Sequence, residues 1–193
     1  AVTWSLQARG STGPRQPHIG HDTTLTGWSW AADTHAWLEP TALFTMALKQ
    51  AGYARHARTR EAVQLLTDRL LPTGGANYGN TIVLGQPLLA HIQSTGLAML
   101  ALAGEDATDP RIELSLAYLE RELNSQVPAA SISYGVLGLA AHGRRPPTAD
   151  NWLHTAYLRE QRRGASPHKL ALLALAAAPM NPMLAGAPTA AVT

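Results

Sequence analysis

The sequence predicts an all-α protein assembled from helical hairpins, each an inner apolar helix followed by an outer amphipathic one. Three observations carry this expectation. Alanine and leucine supply 34 and 28 of the 193 residues, against 6 Val and 5 Ile. Ala and Leu favour helices, whereas β-branched residues fill strands. That ratio excludes a β-sandwich, a β-barrel and a Val/Ile-rich parallel sheet. Second, the chain resembles itself. STGLAMLALAG at 94–104 aligns without gaps on SYGVLGLAAHG at 133–143, and PTALFTMAL at 40–48 aligns on STGLAMLAL at 94–102. HKLALLALA at 168–176 reads as a fourth copy. Third, Gly or Pro closes each apolar stretch, at Gly52, Gly104, Gly143 and Pro179.

The elements follow in order. Residues 1–36 carry Gly10, Gly13, Pro14, Pro17, Gly20 and Gly27 and read as loop. So long a loop within a domain points to function, and Trp4, Trp28 and Trp30 set it apart from a solvated linker. Pro40 opens a helix that spans 41–51. A second helix spans 59–71, with Ala62, Leu65, Leu66 and Leu70 on one face. A Gly-rich loop, TGGANYGNTIVLGQP, precedes a short apolar helix over 94–103. Asp109-Pro110 is a cap followed by a first-turn proline, and opens a helix to about Asn124. Another apolar helix spans 133–141, an amphipathic one 148–163, and a last apolar one starts at Pro167. The Pro/Ala-rich residues 179–193 read as a disordered tail, which leaves one domain over 1–178.

An all-round apolar helix is buried and an amphipathic one covers it. The repeat is therefore an inner–outer pair. Paired helices build either an open solenoid or a closed α/α toroid. The tetratricopeptide pattern is absent, and the Gly-rich connections favour the toroid.

Several stretches resemble the prenyltransferase and squalene–hopene cyclase superfamily. WSLQARGSTG at 4–13 is similar to the end of an outer helix entering a QW turn, with Trp4 and Gln7. TGWSW at 26–30 resembles the aromatic strand of that turn. WLEPTALFTMALKQAG at 37–52 resembles an inner helix, and LLTDRLLPTGGANYGN at 65–80 the outer helix and turn that follow. HIQSTGLAMLALAG at 91–104 then resembles the start of the next hairpin. The resemblance covers residues 1–178 and implies an α/α toroid whose cavity binds or processes an isoprenoid or similar apolar substrate. It implies a class II cyclase chemistry if the protein is an enzyme. It also implies a cytoplasmic or membrane-peripheral location, with peripheral membrane contact, rather than secretion.

The departures from that family are as informative. Its cyclases protonate an alkene with an Asp-x-Asp-Asp motif, and none occurs here. Setting Thr41-Ala42 against the Thr-Ala after that motif puts Glu39 at the central acid position. One carboxyl raised by burial can serve as a general acid. A first-turn acid facing the helix dipole is the structural alternative. Trp28, Trp30 and Trp37 are the expected cavity aromatics, together with Tyr78, able to stabilise a cation through their rings. His35, Asn77 and His91 are expected to orient a ligand. The same aromatics also suit structural roles, as glue between neighbouring repeats. The prenyltransferase zinc site needs a cysteine, and the chain has none. His18, His21, Asp33 and His35 have workable ligand spacing. Histidines are common in such loops, so no metal and no cofactor are assigned.

The alternative function is a catalytically inactive toroid scaffold that binds a protein or lipid partner. A third reading is a carbohydrate-active (α/α) barrel with paired carboxylates at Glu39 and Asp33, which requires both acids in one cleft. A net charge of +2, with no basic stripe, gives no reason to expect nucleic-acid binding. No Walker loop, dinucleotide fingerprint or nucleophile elbow occurs. Four inner helices against three outer ones imply a partial toroid, and hence either missing upstream hairpins or a homo-oligomer.

Overall fold

A computed structural model describes residues 1–105, 108–181 and 183–184. Among them lie eight helices: α1 Val2–Gln7, α2 Leu38–Gln50, α3 Ala57–Asp68, α4 Ile92–Leu102, α5 Pro110–Glu122, α6 Ala129–Ala141, α7 Ala149–Arg162 and α8 Pro167–Ala177. One antiparallel hairpin joins β1 Ile82–Val83 to β2 Gln86–Pro87. The chain is therefore all-α.

Burial separates two kinds of helix. In α4 every residue from Ser94 to Leu102 is buried, and in α6 every residue from Ile132 to Leu139. The intervening helices bury one stripe each. In α5 it is Ile112, Ser115, Leu116 and Leu119; in α7 it is Ala149, Leu153, Ala156 and Glu160. These spacings of three and four are the stripe of a surface helix. Packing follows the same division. The apolar helices form a row in the order α2, α4, α6, α8, and α3, α5 and α7 each pack against the two apolar helices that flank them in sequence.

The inner helices run the same way. Lys49, at the end of α2, donates to the carbonyls of Ala101 and Ala103 at the end of α4, at 2.6 and 3.3 Å. His142, just beyond α6, lies 2.9 Å from the carbonyl of Met99 on α4. Arg145 donates at 2.8 Å to the carbonyl of Ala176, near the end of α8. These bonds also satisfy C-terminal carbonyls that lack a partner within their own helix.

At one point in the row the contact is backbone to backbone. A Cβ on Gly96 of α4 would lie 2.4 Å from the carbonyl carbon and oxygen of Tyr134 on α6. A Cβ on Gly138 would lie 2.8 Å from the carbonyl oxygen of Gly96. Only glycine permits this approach. The sequence alignment sets Gly96 against Gly135 as equivalent repeat positions, and the helices bring both to the same interface.

Several boundaries differ from expectation. Residues 1–36 are mostly loop, but begin with α1. Helix α2 starts at Leu38, which places Pro40 within its first turn rather than at its start. Helix α3 stops at Asp68, because Leu70 leaves the helix to bridge Ala76. Helix α6 begins at Ala129, four residues before the expected Ser133, directly after Pro128. The expected tail is partly ordered: the Asn181 side chain donates to the carbonyl of Leu137 at 3.2 Å. Gln50 at the end of α2 donates to the carbonyl of Met183. Residues 179–181 and 183–184 thus reach across the C-terminal end of the inner row; residue 182 and residues 185–193 of the expected tail lie outside the described residues.

Candidate functional site

The opposite end of the row, at the N-termini of the inner helices, collects most of the expected site residues. Two equivalent turns build it. Thr41 Oγ1 accepts from the Trp28 amide at 3.0 Å, and the Trp37 amide donates to the Trp28 carbonyl at 3.0 Å. One repeat on, Thr95 Oγ1 accepts from the Ala76 amide at 2.9 Å, and the His91 amide donates to the Ala76 carbonyl at 2.9 Å. Thr41 and Thr95 are paired by the alignment of 40–48 with 94–102. Trp37 and His91 are the residues immediately preceding α2 and α4. The repeat is therefore one of hydrogen-bond pattern as well as of composition.

These turns tie Trp37, Tyr78 and His91 to one rim. The Leu38 amide donates to the Tyr78 carbonyl at 2.9 Å. The Tyr78 and His91 rings lie 4.8 Å apart, and those of His35 and Trp37 lie 4.7 Å apart. Beside the first pair is a groove of about 350 Å³, lined by Tyr78, His91, Gln93, Tyr118, Pro128 and Ser131. Burial pushes the Tyr118 phenol up, and its hydroxyl donates to the Ala90 carbonyl at 3.0 Å. Asn77 is occupied by the turn itself. Its Oδ1 accepts from the Tyr78 amide at 2.7 Å and its Nδ2 donates to the Leu89 carbonyl.

Glu39, on the first turn of α2, is half-buried. Burial raises its carboxyl above the usual carboxylate range, and the charge of His168 on α8 opposes that rise. The Tyr134 phenol on α6 is raised by burial and, secondarily, by Glu39. The charge of Glu39 on α2 is thus coupled to Tyr134 on α6 and to His168 on α8. This end of the row offers one acid raised by burial and aromatic rings at the rim.

Two expected cavity aromatics lie elsewhere. Trp28 is sealed in a second cluster with Leu48, Ala62 and Phe44. It stacks on Phe44 with ring centroids 5.2 Å apart, donates to the Ser5 carbonyl at 3.0 Å, and lies 3.8 Å from the Arg58 guanidinium. It is 1% exposed, packed against α2, α3 and the N-terminal segment. Trp30 is 61% exposed at the surface.

The histidines of the N-terminal segment separate as well. His18, His21 and His35 line a different cavity, of about 410 Å³, between residues 11–36 and the β1–β2 hairpin. Asp33 is exposed in a left-handed turn at φ 61°. Among the described residues no three His, Asp or Glu side chains are placed to hold a metal ion.

Five residues that matter were not singled out from the sequence. Tyr134 and His168 are the groups to which the charge of Glu39 couples. Lys49 ties α2 to α4 and pairs with Glu105 at 2.6 Å. Arg58 and Arg69 are buried on α3 and just after it, and hold the N-terminal segment. Arg58 donates to the carbonyls of Thr26 and Gly27, both at 2.7 Å, and of Ala8 at 3.3 Å. A signal for the two arginines was present. Arg58, Ala62, Leu65 and Arg69 are spaced four, three and four apart, which puts both cations on the buried stripe. Comparison with protein-family models, with curated proteins and with solved structures found no match to this chain.

Proposed function

We propose that the chain is a partial α/α toroid whose inner row binds an isoprenoid or similar apolar ligand, with Glu39 as the acid facing it. One observation carries the reading. Glu39 is half-buried on the first turn of α2, where the neighbouring Leu38 amide is tied to Tyr78 at the rim, and its charge couples to Tyr134 on α6 and to His168 on α8. The contacts of Asn181 and Met183 support it, since they lie at the other end. A ligand would then enter beside Trp37, Tyr78 and His91. In its protonated form, which burial favours, Glu39 donates a hydrogen bond or a proton to an alkene or alcohol. Ionised, it steadies a cation, together with the Trp37 and Tyr78 rings.

A second reading, the catalytically inactive scaffold, rests on the setting of Glu39. Leu38 and Pro40 flank it, and no second carboxylate is among the groups that shift its titration. Alkene protonation normally draws on several acids acting together. One experiment separates the two readings. The protein is incubated with farnesyl, geranylgeranyl and longer polyprenyl alcohols and diphosphates, and both retained ligand and product are measured by mass spectrometry. Retention with turnover that Glu39→Gln abolishes supports an acid catalyst. Retention without turnover supports the scaffold. Retention of none of the probes contradicts both as isoprenoid binders.

A further inference from the structure

The cavity of about 410 Å³ between the N-terminal segment and the β1–β2 hairpin is separate from the inner row, and its lining combines two kinds of group. Arg69 and His21 are each at least nine-tenths buried. Ile19, Leu25, Ile82, Val83 and Leu84 supply apolar surface. We propose that this cavity is a second ligand site, which takes a small monocarboxylate with an apolar body, the head on Arg69 and His21 and the body along Ile19 and the hairpin.

The polar part has unused donors. Arg69 hydrogen-bonds through Nη1, which donates to the Asp22 carbonyl at 3.1 Å and to the Asp68 carboxylate. Its Nε is buried without a partner. Its Nη2 makes no hydrogen bond among the described residues. A buried donor without an acceptor is costly, and the Nε–Nη2 edge of a guanidinium is one that grips a carboxylate side-on. The Thr81 amide donates to His21 Nδ1 at 3.4 Å, which leaves Nε2 as the protonated nitrogen and a further donor. His21 is neutral, its pKa lowered to about 4 by burial and then by the charge of Arg69.

Charge sets the head group. Asp68 already pairs with Arg69, and Asp22 lies against it with Arg15 at 3.5 Å. The acids behind Arg69 repel each added negative charge, so a carboxylate with one fits better than a phosphate dianion with two. Size sets the body. A cavity near the lower end of the usual ligand-pocket range suits a short chain or a small ring. The apolar wall continues outward to Leu84, which is 88% exposed at the hairpin tip.

The test is an NMR titration of the isotope-labelled protein with octanoate, with 1-octanol as the uncharged comparator and acetate as the tail-less one. Octanoate is expected to saturate the site and shift the His21 and Leu84 signals. Each comparator is expected to bind at least about tenfold more weakly. Arg69→Gln and Leu84→Asp are each expected to weaken octanoate about tenfold. Leu84 lies at φ 49°, a conformation that aspartate adopts more readily than leucine, so the second variant keeps the turn. Should Arg69→Gln fail to fold, Leu84→Asp and the comparators decide. No shift up to about 10 mM octanoate, equal binding of octanol, or shifts centred on Tyr134 and His168 would overturn the proposal. It does not depend on the inner-row reading, whose probes and reporter residues are different.

Discussion

Replacing Gly96 by alanine puts a methyl group where two helices already touch. The new Cβ would sit 2.4 Å from the carbonyl carbon and oxygen of Tyr134 and 2.7 Å from the amide nitrogen of Gly135. These are backbone atoms, so no side chain can turn aside. Helices α4 and α6 must part by about 1 Å to restore ordinary contact, and that loosens their whole interface. Overpacking of this kind costs about 1–3 kcal/mol, with the upper part expected where backbone must yield. Against it, alanine gains about 1 kcal/mol over glycine in a helix interior. The net expectation is a loss of about 2 kcal/mol. For a chain of this length that lowers Tm by about 4–8 °C. Calorimetry and urea unfolding followed by circular dichroism measure both quantities. Gly13→Ala is the control, because a Cβ there meets nothing within 4 Å, and its expected change is under about 0.5 kcal/mol. An unchanged or raised Tm for Gly96→Ala would refute the close packing of the inner row.

Other perturbations read other parts of the fold. Arg58→Met removes the donor for three loop carbonyls and the cation beneath Trp28; a loss of about 2–4 kcal/mol and a red-shifted tryptophan emission are expected. Lys49→Met uncaps α4 and leaves Glu105 with Arg60 as its remaining ion-pair partner; urea unfolding is expected to show a loss of about 1–2 kcal/mol. Because the folded-state pKa of His21 is about 4 against 6.5 when unfolded, its contribution is full above pH 6.5 and lost as pH falls toward 4. His21→Gln is therefore expected to unfold less steeply with acid across that window, by about 1–2 kcal/mol, as read from urea midpoints at each pH. Glu39 has the opposite sign for a carboxylate. Its raised pKa means the folded protein holds the proton more tightly, so stability falls as pH rises through that pKa. Glu39→Gln is expected to stabilise the protein at pH 7 and to lose that advantage in acid, again by urea midpoint.

The sequence spoke clearly where physics is local. Asp109-Pro110 starts α5 as expected, with Asp109 Oδ1 accepting from the Arg111 amide at 2.9 Å. The repeat alignment paired Thr41 with Thr95, and both turn out to hold the turn before their helix. It spoke less clearly where local signals compete. Ala129 and Ala130 are good helix formers after a proline, but alignment on Ser133 hid them. The β1–β2 hairpin rests on a two-residue Leu84-Gly85 turn within an apolar run, and its pairing is only two residues long.

The candidate site was legible in part for the same reason. Glu39, Trp37, Tyr78 and His91 lie in or beside the turns that the repeat defines. Tyr134 and His168 couple to Glu39 from other helices, roughly a hundred residues on, which no local pattern announces. Trp28 resembled a ligand contact because its type suits one. Its actual setting depends on Arg58, thirty residues away in sequence, and on the collapse of the N-terminal segment onto α3.

Photo-crosslinking with a diazirine analogue of farnesol tests the central claim most directly, because it reports where an isoprenoid sits rather than whether one binds. Labels on residues 37–41, 91–95 and 131–134, mapped by peptide mass spectrometry and competed away by farnesol, are the predicted result. Labels confined to residues 14–25 and 82–84, or scattered and insensitive to competition, would contradict an inner row that binds isoprenoids.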